Sequence, residues 1–324
     1  MTYKGKKIFI TGGTGSLGKK ITERLLQLGA TPIIYSRDEG KQAGIFNHNE
    51  NVVKIIGDVR DYQKLDVSLQ RHAPDYIIHA AALKRIDDME FYPDECIKTN
   101  IHGSENVARA ALKNNVKKCI LVSTDKACQP VNVYGSSKFI AERIFTNYDY
   151  NSRSTIFSSV RYGNVIASRG SFIPVWLERL EAGETLQVTS RERTRFLFTL
   201  TDAVDTVLGA LQNAVGGEVF IPKINSYRLP TVLECLSQLS GKPISTTVTG
   251  LRPGEKLHED MLCQTELPFA YKVKDLNLLQ IRPQYTHKSY QQWDKYDGPE
   301  FNSALHVSDD AEQLLPLIKK GLTQ

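Results

Sequence analysis

The segment from Ser123 to Lys138 holds the side chains best suited to proton transfer at carbon. Within it, Tyr134 and Lys138 are four positions apart, so a helix would present both on one face. A lysine ammonium beside a phenol favours the phenolate and lowers the phenol pKa from its usual value of about 10. Tyr134 would then act as a base near neutral pH, and a base beside a hydride acceptor is what the oxidation of an alcohol requires.

A site for the hydride acceptor is predicted near the start of the chain. Thr11-Gly12-Gly13-Thr14-Gly15-Ser16-Leu17-Gly18 follows a strand-like run and opens a helical pattern at Lys19. In this position a GxxGxxG spacing is typical of a dinucleotide-binding turn, because glycines permit unusual dihedral angles and the free N–H groups of the helix face the phosphates. The predicted contacts in this turn are Gly12, Thr14, Gly15, Ser16, Leu17 and Gly18.

The end of the second predicted strand bears on the choice between NAD and NADP. An NAD site usually places a carboxylate there for the ribose 2′-hydroxyl. This chain reads Ser36-Arg37-Asp38, with Lys41 close behind. Arg37, helped by Ser36 and Lys41, suits a 2′-phosphate, whereas Asp38 suits the hydroxyl of NAD, and we predict NADP. The cofactor contacts predicted after the third and fourth strands are Asp58, Val59, Ala80, Ala81 and Ala82.

Strand-like and helix-like patterns alternate through the first half of the chain. Strands are predicted at 7–11, 33–36, 52–56, 76–80, 118–123 and 154–161, and helices at 19–28, 104–114 and 138–147. This alternation predicts right-handed βαβ units. The expected fold class is therefore α/β, with a Rossmann-like, doubly wound parallel sheet and a smaller C-terminal substrate-binding region.

The pattern loosens after residue 165. Helices are predicted at 172–182 and 201–212, and strands at 185–188 and 217–221, while 264–302 has weak periodicity and receives no assignment. We predict that residues 1–165 form the NADP-binding domain and that 201–222 return to it. Residues 166–324 are expected to form mainly the substrate-binding region.

Composition excludes several classes of protein. The 324 residues are 41% hydrophobic, which is enough for a large core. A net charge of +5 without a long Lys/Arg block does not favour nucleic acid. Five scattered cysteines favour reduced thiols and no bound metal, and no run approaches the ~18 apolar residues of a membrane span. The first residues lead directly into a strand without a signal-peptide pattern, so we expect a cytoplasmic protein.

Together, the glycine turn, the Ser-Thr before an acid and the YxxxK spacing resemble the extended short-chain dehydrogenase/reductases. More specifically, the chain resembles the inverting UDP-N-acetylglucosamine 4,6-dehydratases of bacterial sugar pathways, over nearly its whole length to about His258. The matching segments are 36–38, 79–84, 98–103, 123–127, 161–165, 168–171 and 252–256. The pair Asp125-Lys126 is the discriminating feature, because retaining dehydratases carry Asp-Glu there and epimerases generally lack both.

The resemblance implies a catalytic group made of Thr124, Asp125, Lys126, Tyr134 and Lys138. Tyr134 would take the C4 hydroxyl proton while hydride passes to NADP⁺. Lys126, neutralised by burial and nearby positive charge, would remove the C5 proton, and Asp125 would protonate the departing C6 hydroxyl. Hydride return to C6 and reprotonation of C5 from the opposite face would give a 4-keto-6-deoxy-L-arabino sugar nucleotide, with no net redox change.

The same resemblance implies a UDP-sugar substrate and a homo-oligomeric assembly. The arginines suit the diphosphate and Glu255 suits a ribose hydroxyl. The predicted substrate contacts are Lys84, Asn164, Ser168, Arg169, Arg195, Arg252 and Glu255. Lys84 and Asn100 are also expected beside the cofactor.

Two segments depart from the family pattern and leave the substrate open. These are Cys128-Gln129 and 85–89, and we interpret Cys128 as a small apolar residue of its loop. The alternative enzymes are a 5,6-dehydratase, a retaining 4,6-dehydratase and a C4 epimerase. The alternative from another class is a non-catalytic NADP-binding sensor or scaffold, which would bind cofactor without turnover.

Overall fold

The computed structural model describes residues 2–47, 49–168 and 170–324. Its strands are, in chain order, β1 (Lys7–Thr11), β2 (Thr31–Ser36), β3 (Val53–Ile56), β4 (Tyr76–His79), β5 (Lys118–Val122), β6 (Ile156–Val160), β7 (Asn164–Val165), β8 (Leu186–Val188), β9 (Thr194–Phe198), β10 (Val219–Pro222), β11 (Ser226–Arg228), β12 (Thr246–Val248), β13 (Asp260–Leu262), β14 (Ala270–Lys272), β15 (Leu278–Ile281) and β16 (Phe301–Asn302).

Eleven α-helices lie between and after these strands in the same described ranges. They are α1 (Ser16–Gln27), α2 (Glu39–Ala43), α3 (Tyr62–His72), α4 (Ile86–Phe91), α5 (Pro93–Cys96), α6 (Gly103–Lys113), α7 (Val133–Asn151), α8 (Phe172–Glu181), α9 (Leu200–Asn213), α10 (Leu229–Ser240) and α11 (Ala311–Leu322). A π-helical turn, Ile97–His102, leads into α6, and 3₁₀ turns occupy Asp125–Ala127 and Leu267–Phe269.

The largest sheet has the order β14-β15-β10-β6-β5-β4-β1-β2-β3. The seven strands from β10 to β3 run parallel, and β15 and β14 extend the edge in the antiparallel direction. The order 3-2-1-4-5-6 is that of a doubly wound sheet. The predicted fold class is therefore confirmed.

Both faces of this sheet are covered by helices. Successive side chains of a strand point to opposite faces. Ile8 and Ile10 of β1 accordingly belong to a core with α1 and α9, whereas Phe9 between them belongs to a core with α3, α6 and α7. Because both faces are buried, each of these three side chains has no exposed surface, and the strand is a continuous apolar run.

The chain beyond residue 165 builds a further hydrophobic core. Apolar side chains of α8, α10 and α11 pack there with those of β8, β9 and β11. Strands β7, β9 and β11 form a three-stranded sheet, and β8 pairs with β12. This region stands where the substrate-binding part was predicted, and the proposed division of the chain into two domains stays a prediction.

Most predicted elements are confirmed. Helices α8 and α9 and strands β6, β8 and β10 lie where the sequence patterns placed them; β10 is a strand of the main sheet and α9 packs on it. Helix α7 begins at Val133, five residues before the predicted start. The unassigned segment 264–302 supplies β14 and β15 to the sheet edge. Among the described residues, no helix combines the length and apolar character that a membrane span needs.

Candidate active site

A cleft of about 910 Å³ opens where β1, β4 and β5 end. Loops that follow the carboxyl ends of parallel strands meet at one edge of the sheet, which is where doubly wound folds bind ligands. The glycine turn lines one part of the cleft, and the segment 122–138 lines another. Side chains from the region beyond residue 163 close the remaining side.

The glycine turn has the geometry of a phosphate cradle. Gly12 has a φ of +69°, and a Cβ there would lie 2.8 Å from the backbone N of Ala81. A Cβ on Gly18 would lie 2.4 Å from the carbonyl oxygen of Gly12. Gly15 is the N-cap residue of α1 and provides no side-chain cap. The first N–H groups of α1 can therefore face an anion, as predicted.

A matched pair of glycine substitutions tests this cradle. We expect Gly18→Ala to weaken NADP binding at least ~10-fold, because relieving a backbone overlap costs about 1–3 kcal/mol. Gly40→Ala is the control, since its Cβ would lie 3.5 Å from the nearest atom, an ordinary contact. Isothermal titration of both variants with NADP measures the effect. Equal affinity of the two variants would contradict the assignment of the cradle.

The predicted ribose end has an arginine whose partner is a carboxylate. Arg37 is half exposed, and its Nη1 lies 3.7 Å from Asp58 Oδ2. Asp58 is held more tightly by Arg60, at 2.8 Å, and although burial raises its pKa, hydrogen bonds and charge from Arg60 and Arg37 lower it overall. Lys41 pairs with Asp38 at 2.5 Å, so that carboxylate is partly neutralised. This arrangement leaves Arg37 accessible to a phosphate.

Three of the predicted cofactor residues have structural contacts within the protein. The hydroxyl of Ser36 is buried and accepts a hydrogen bond from Gln42 at 2.9 Å. Val59 is buried in the core beneath α6. The side-chain amide of Asn100 accepts from the Leu83 N–H at 2.8 Å and donates to the Leu83 carbonyl at 2.9 Å. Asn100 thus fixes the segment that carries Lys84, which lines the cleft.

The loop after β5 brings an acid and a lysine into direct contact. Asp125 is fully buried, and its Oδ1 accepts from Thr124 Oγ1 at 2.8 Å and from Lys126 Nζ at 3.0 Å. Its Oδ2 is buried and has no hydrogen-bond partner among the residues that the structure describes. Tyr134, in the first turn of α7, lines the cleft together with Thr124 and Lys126. The predicted group therefore meets at one place.

The predicted lowering of the Tyr134 pKa is wrong. Burial raises its pKa to about 12, and Lys126 and a hydrogen bond with Thr124 offset only part of this rise. Lys138 is itself buried, which lowers its pKa to about 8 although Glu142 opposes the change. The cation that most favours the phenolate is therefore Lys126. A helical spacing places Lys138 on the correct face, but it does not fix the distance between charges.

The expected neutralisation of Lys126 is also wrong in the resting site. Burial and Arg195 lower its pKa, but the carboxylates of Asp125 and Glu259 outweigh them and raise it above the usual value. Glu259 Oε1 lies 3.4 Å from Lys126 Nζ. The side chain is consequently an ammonium that is paired with two carboxylates.

Arg195, Arg252 and Glu255, which were predicted to contact the diphosphate and ribose, differ in exposure, and each already has a partner within the protein. Arg195 is buried, donates to the carbonyls of 194, 256 and 257, and still lines the cleft. Arg252 is half exposed and pairs with Asp87 at 2.6 Å. Glu255 has little exposed surface and pairs with Arg193 and Arg195, so it positions arginines. The predicted bond from Glu255 to a ribose hydroxyl would require these pairs to open.

Asn164 and Ser168 line the cleft as predicted, and Arg169 lies outside the described residues. Arg193 and Glu259 are among the charged residues of the cleft that the sequence interpretation did not predict as contacts. Arg193 lines it, and burial followed by the charge of Arg195 lowers its pKa to about 10. Glu259 lines it from the segment just after the matched 252–256. The alternating charges of Arg191-Glu192-Arg193 were the only sequence signal for the first of these.

Cys128 lies beside the site in a polar cluster and is not a simple apolar filler. Its Sγ contacts Glu266 Oε2 at 3.6 Å, and Cys263 contacts the same oxygen at 3.5 Å. The three potential ligand atoms lie within 4.8 Å of one another. Buried Arg161 donates to both oxygens of Glu266, at 2.9 and 3.0 Å. The Arg161 guanidinium already binds both oxygens of the Glu266 carboxylate, and its positive charge would repel a metal ion placed between Cys128, Cys263 and Glu266.

Comparison with known proteins gives three findings. The family model described as polysaccharide biosynthesis protein matches residues 8–280. A Campylobacter jejuni protein named UDP-N-acetylglucosamine 4,6-dehydratase (inverting) is 44% identical over 84% of this chain and 82% of its own. A Rickettsia rickettsii UDP-glucose 4-epimerase is 38% identical over 84% of this chain and 82% of its own.

A solved structure matches the whole fold. The X-ray structure of Pen from Bacillus thuringiensis is 32% identical, covers 99% of this chain and 98% of its own, and superposes with a TM-score of 0.91. The likeness therefore extends beyond residue 280, where the family model ends, to strand β16 and helix α11.

Proposed function

The chain belongs to the polysaccharide biosynthesis protein family, and on that premise we propose that it is a UDP-N-acetylglucosamine 4,6-dehydratase that inverts C5. The observation that carries the proposal is the buried contact between Asp125 and Lys126, 3.0 Å apart, beside Tyr134. Elimination of water across C5 and C6 needs a base and an acid side by side. An oxidation at C4 needs a further base, and Tyr134 is placed to provide it.

The proposed cofactor is a nicotinamide dinucleotide, and NADP in particular. The cradle at Gly12 and Gly18, which a Cβ would fill, fits its pyrophosphate. Arg37 and Lys41 would hold the 2′-phosphate, and Lys138 would lie along the cleft floor. When bound, the nicotinamide accepts hydride from C4 and returns it to C6, so the reaction has no net redox change.

A change at Arg37 tests the preference for NADP. We expect Arg37→Ala to weaken NADP binding ~10-fold or more, since a charge-assisted bond to phosphate contributes about 1.5–3 kcal/mol. The affinity for NAD, which lacks that phosphate, should stay nearly unchanged. Titration of wild type and variant with both cofactors measures this. Tighter binding of NAD than NADP by the wild type would contradict the preference.

The chain's own residues account for each proton movement. Tyr134 removes the C4 hydroxyl proton, and a positive charge beside the phenol is needed to bring its pKa down from about 12. The resulting C4 ketone acidifies the C5 hydrogen, which Lys126 removes. Asp125 protonates the C6 oxygen through Oδ2, the oxygen without a described partner. C5 then accepts a proton from water on the opposite face, and the proton that Tyr134 took from the C4 hydroxyl is released to restore that water, so the protons balance.

The resting ion pair is compatible with this mechanism. A shift of one proton from Lys126 to Asp125 converts the ammonium and carboxylate into an amine and a carboxylic acid without changing the total charge. Elimination returns the proton from C5 to Lys126 and releases the proton of Asp125 to the leaving hydroxyl. The ion pair is thereby regenerated, and the elimination itself requires no outside acid or base.

The decisive experiment is incubation of the purified protein with UDP-N-acetylglucosamine in deuterium oxide, followed by NMR of C4, C5 and C6. A 4-keto-6-deoxy product with an inverted, deuterated C5 is the expected result. Retention at C5, a 5,6-alkene product, or a change at C4 alone would identify the related dehydratases or the epimerase. Bound cofactor without any turnover would identify a sensor or scaffold.

The epimerase is the second candidate, because an epimerase is among the similar relatives. A C4 epimerase needs Tyr134 but has no use for an acid and a base at C5 and C6. The contact of Asp125 with Lys126 would then have no chemical role. This geometry favours the dehydratase.

A further inference from the structure

We propose that Glu259 is a positioning residue that aims the Lys126 amine at C5, an inference that rests on the proposed dehydratase function. Glu259 Oε1 lies 3.4 Å from Lys126 Nζ and 3.6 Å from Arg195 Nε. The side chain is 3% exposed and lines the cleft. It therefore contacts the base at the place where the substrate binds.

The contact between Glu259 and Lys126 can orient the lone pair of the lysine amine, because the amine forms only a few bonds. A neutral amine has two N–H groups and one lone pair. When Asp125 carries the proton for C6 on Oδ2, its Oδ1 still accepts one N–H of Lys126. Glu259 Oε1 is the acceptor within reach of the other. With both N–H groups held, the lone pair has one remaining direction, which is toward the open cleft.

The backbone of Glu259 is held firmly enough to perform this task. Its N–H donates to Ser303 Oγ at 2.7 Å, and its carbonyl accepts from the Ser303 N–H at 2.8 Å. Arg195, which pairs with the same carboxylate, is itself fixed by three backbone carbonyls. Glu259 thus approaches Lys126 from a segment whose backbone is hydrogen-bonded to Ser303.

Glu259 also contributes charge. The charged and titratable groups that act on or near Lys126 are Asp125, Glu259, Arg195 and Tyr134. While Lys126 takes the C5 proton, Asp125 still carries the proton for the leaving hydroxyl and is neutral, so Glu259 is the carboxylate that stabilises the new ammonium. Removing the charge of Glu259 lowers the pKa of Lys126. Dehydration needs the proton that Lys126 passes to Asp125, so as the pH rises the activity of the variant should be lost at a lower pH than that of the wild type.

The test compares Glu259→Gln with Asp260→Asn, which removes a carboxylate from the next residue of the same segment, where Asp260 pairs with Lys256 at 3.1 Å. We expect Glu259→Gln to slow C5 deuterium exchange ~10–100-fold, because misplacing a reacting group costs up to about 10²-fold. Its KM and its rate of C4 oxidation, followed by the absorbance of reduced nicotinamide, should stay near wild type. The basic limb of its pH profile should move to lower pH. Asp260→Asn should behave as wild type in all four measurements.

The inference about Glu259 would be overturned, with the proposed function left intact, by wild-type C5 exchange in Glu259→Gln or by an equal loss of exchange in Glu259→Gln and Asp260→Asn. Glu259→Asp keeps the charge, so it should retain the wild-type pH profile with a smaller loss of rate. Slow C5 exchange in Glu259→Gln with an unshifted pH profile would also overturn the inference. If the wild type forms no 4-keto product, the proposed function fails first and the inference fails with it.

Discussion

Replacing Lys126 by alanine is expected to stop dehydration while C4 oxidation continues. The variant lacks the amine that lies 3.0 Å from Asp125, so the C5 proton loses its proposed acceptor. Loss of a positioned base lowers a rate by about 10²–10⁴-fold, and we expect ~10³-fold for C5 exchange in deuterium oxide. Reduced nicotinamide should accumulate, because hydride has left C4 and cannot be returned to C6.

The same variant should change the pH dependence of the oxidation. Lys126 is the charged group that most lowers the pKa of Tyr134. In the proposed mechanism Tyr134 acts as the phenolate, so the oxidation rate should fall as the pH falls through its pKa. Without Lys126 that pKa rises, and the acidic limb should move to higher pH. An unmoved limb would contradict the electrostatic contact between the two residues.

A surface lysine provides the control. Lys117 is 61% exposed and pairs with Asp75 away from the cleft, so Lys117→Ala should exchange C5 at the wild-type rate. Stopped-flow absorbance and NMR of the quenched reaction separate the two partial reactions. Wild-type exchange by Lys126→Ala would remove Lys126 as the base, whatever its effect on pH dependence.

Replacing Tyr134 by phenylalanine is expected to abolish every step. The C4 hydroxyl then has no proton acceptor, so no reduced nicotinamide forms and the C5 hydrogen is never acidified. We expect a loss of ~10³–10⁴-fold in turnover, at the upper end for general-base catalysis, because the later steps depend on the first. The loss appears in single-turnover absorbance, which distinguishes it from the Lys126→Ala result.

A second tyrosine on helix α7 provides a control for the loss of one hydroxyl group. Tyr150 is exposed at the far end of α7, and Tyr150→Phe should leave turnover and thermal stability at wild-type values. The affinity of Tyr134→Phe for NADP should also remain measurable, because the glycine cradle is untouched. Formation of reduced nicotinamide by Tyr134→Phe at the wild-type rate would exclude Tyr134 as the C4 base.

Local spacing was enough to predict the fold and the principal residues of the site. The turn at Gly12 to Gly18 depends on dihedral angles and on contacts between near neighbours, so its pattern is visible in the sequence. The continuous apolar run of β1 and the one-turn separation of Tyr134 and Lys138 are equally local. The strands β14 and β15 escaped prediction because such short strands carry little periodicity and are stabilised by pairing, β15 with β10 and β14 with β15.

By itself, the sequence determined which side chains could do the chemistry and which parallel sheet would hold them. Only the tertiary structure decided how those side chains are charged. Lys126 is an ammonium because Glu259, from a distant segment, and Asp125 face it in a buried place, and the pKa of Tyr134 is high because folding removes water from the phenol. Burial and long-range charge depend on which segments meet, and spacing along the chain does not contain that information.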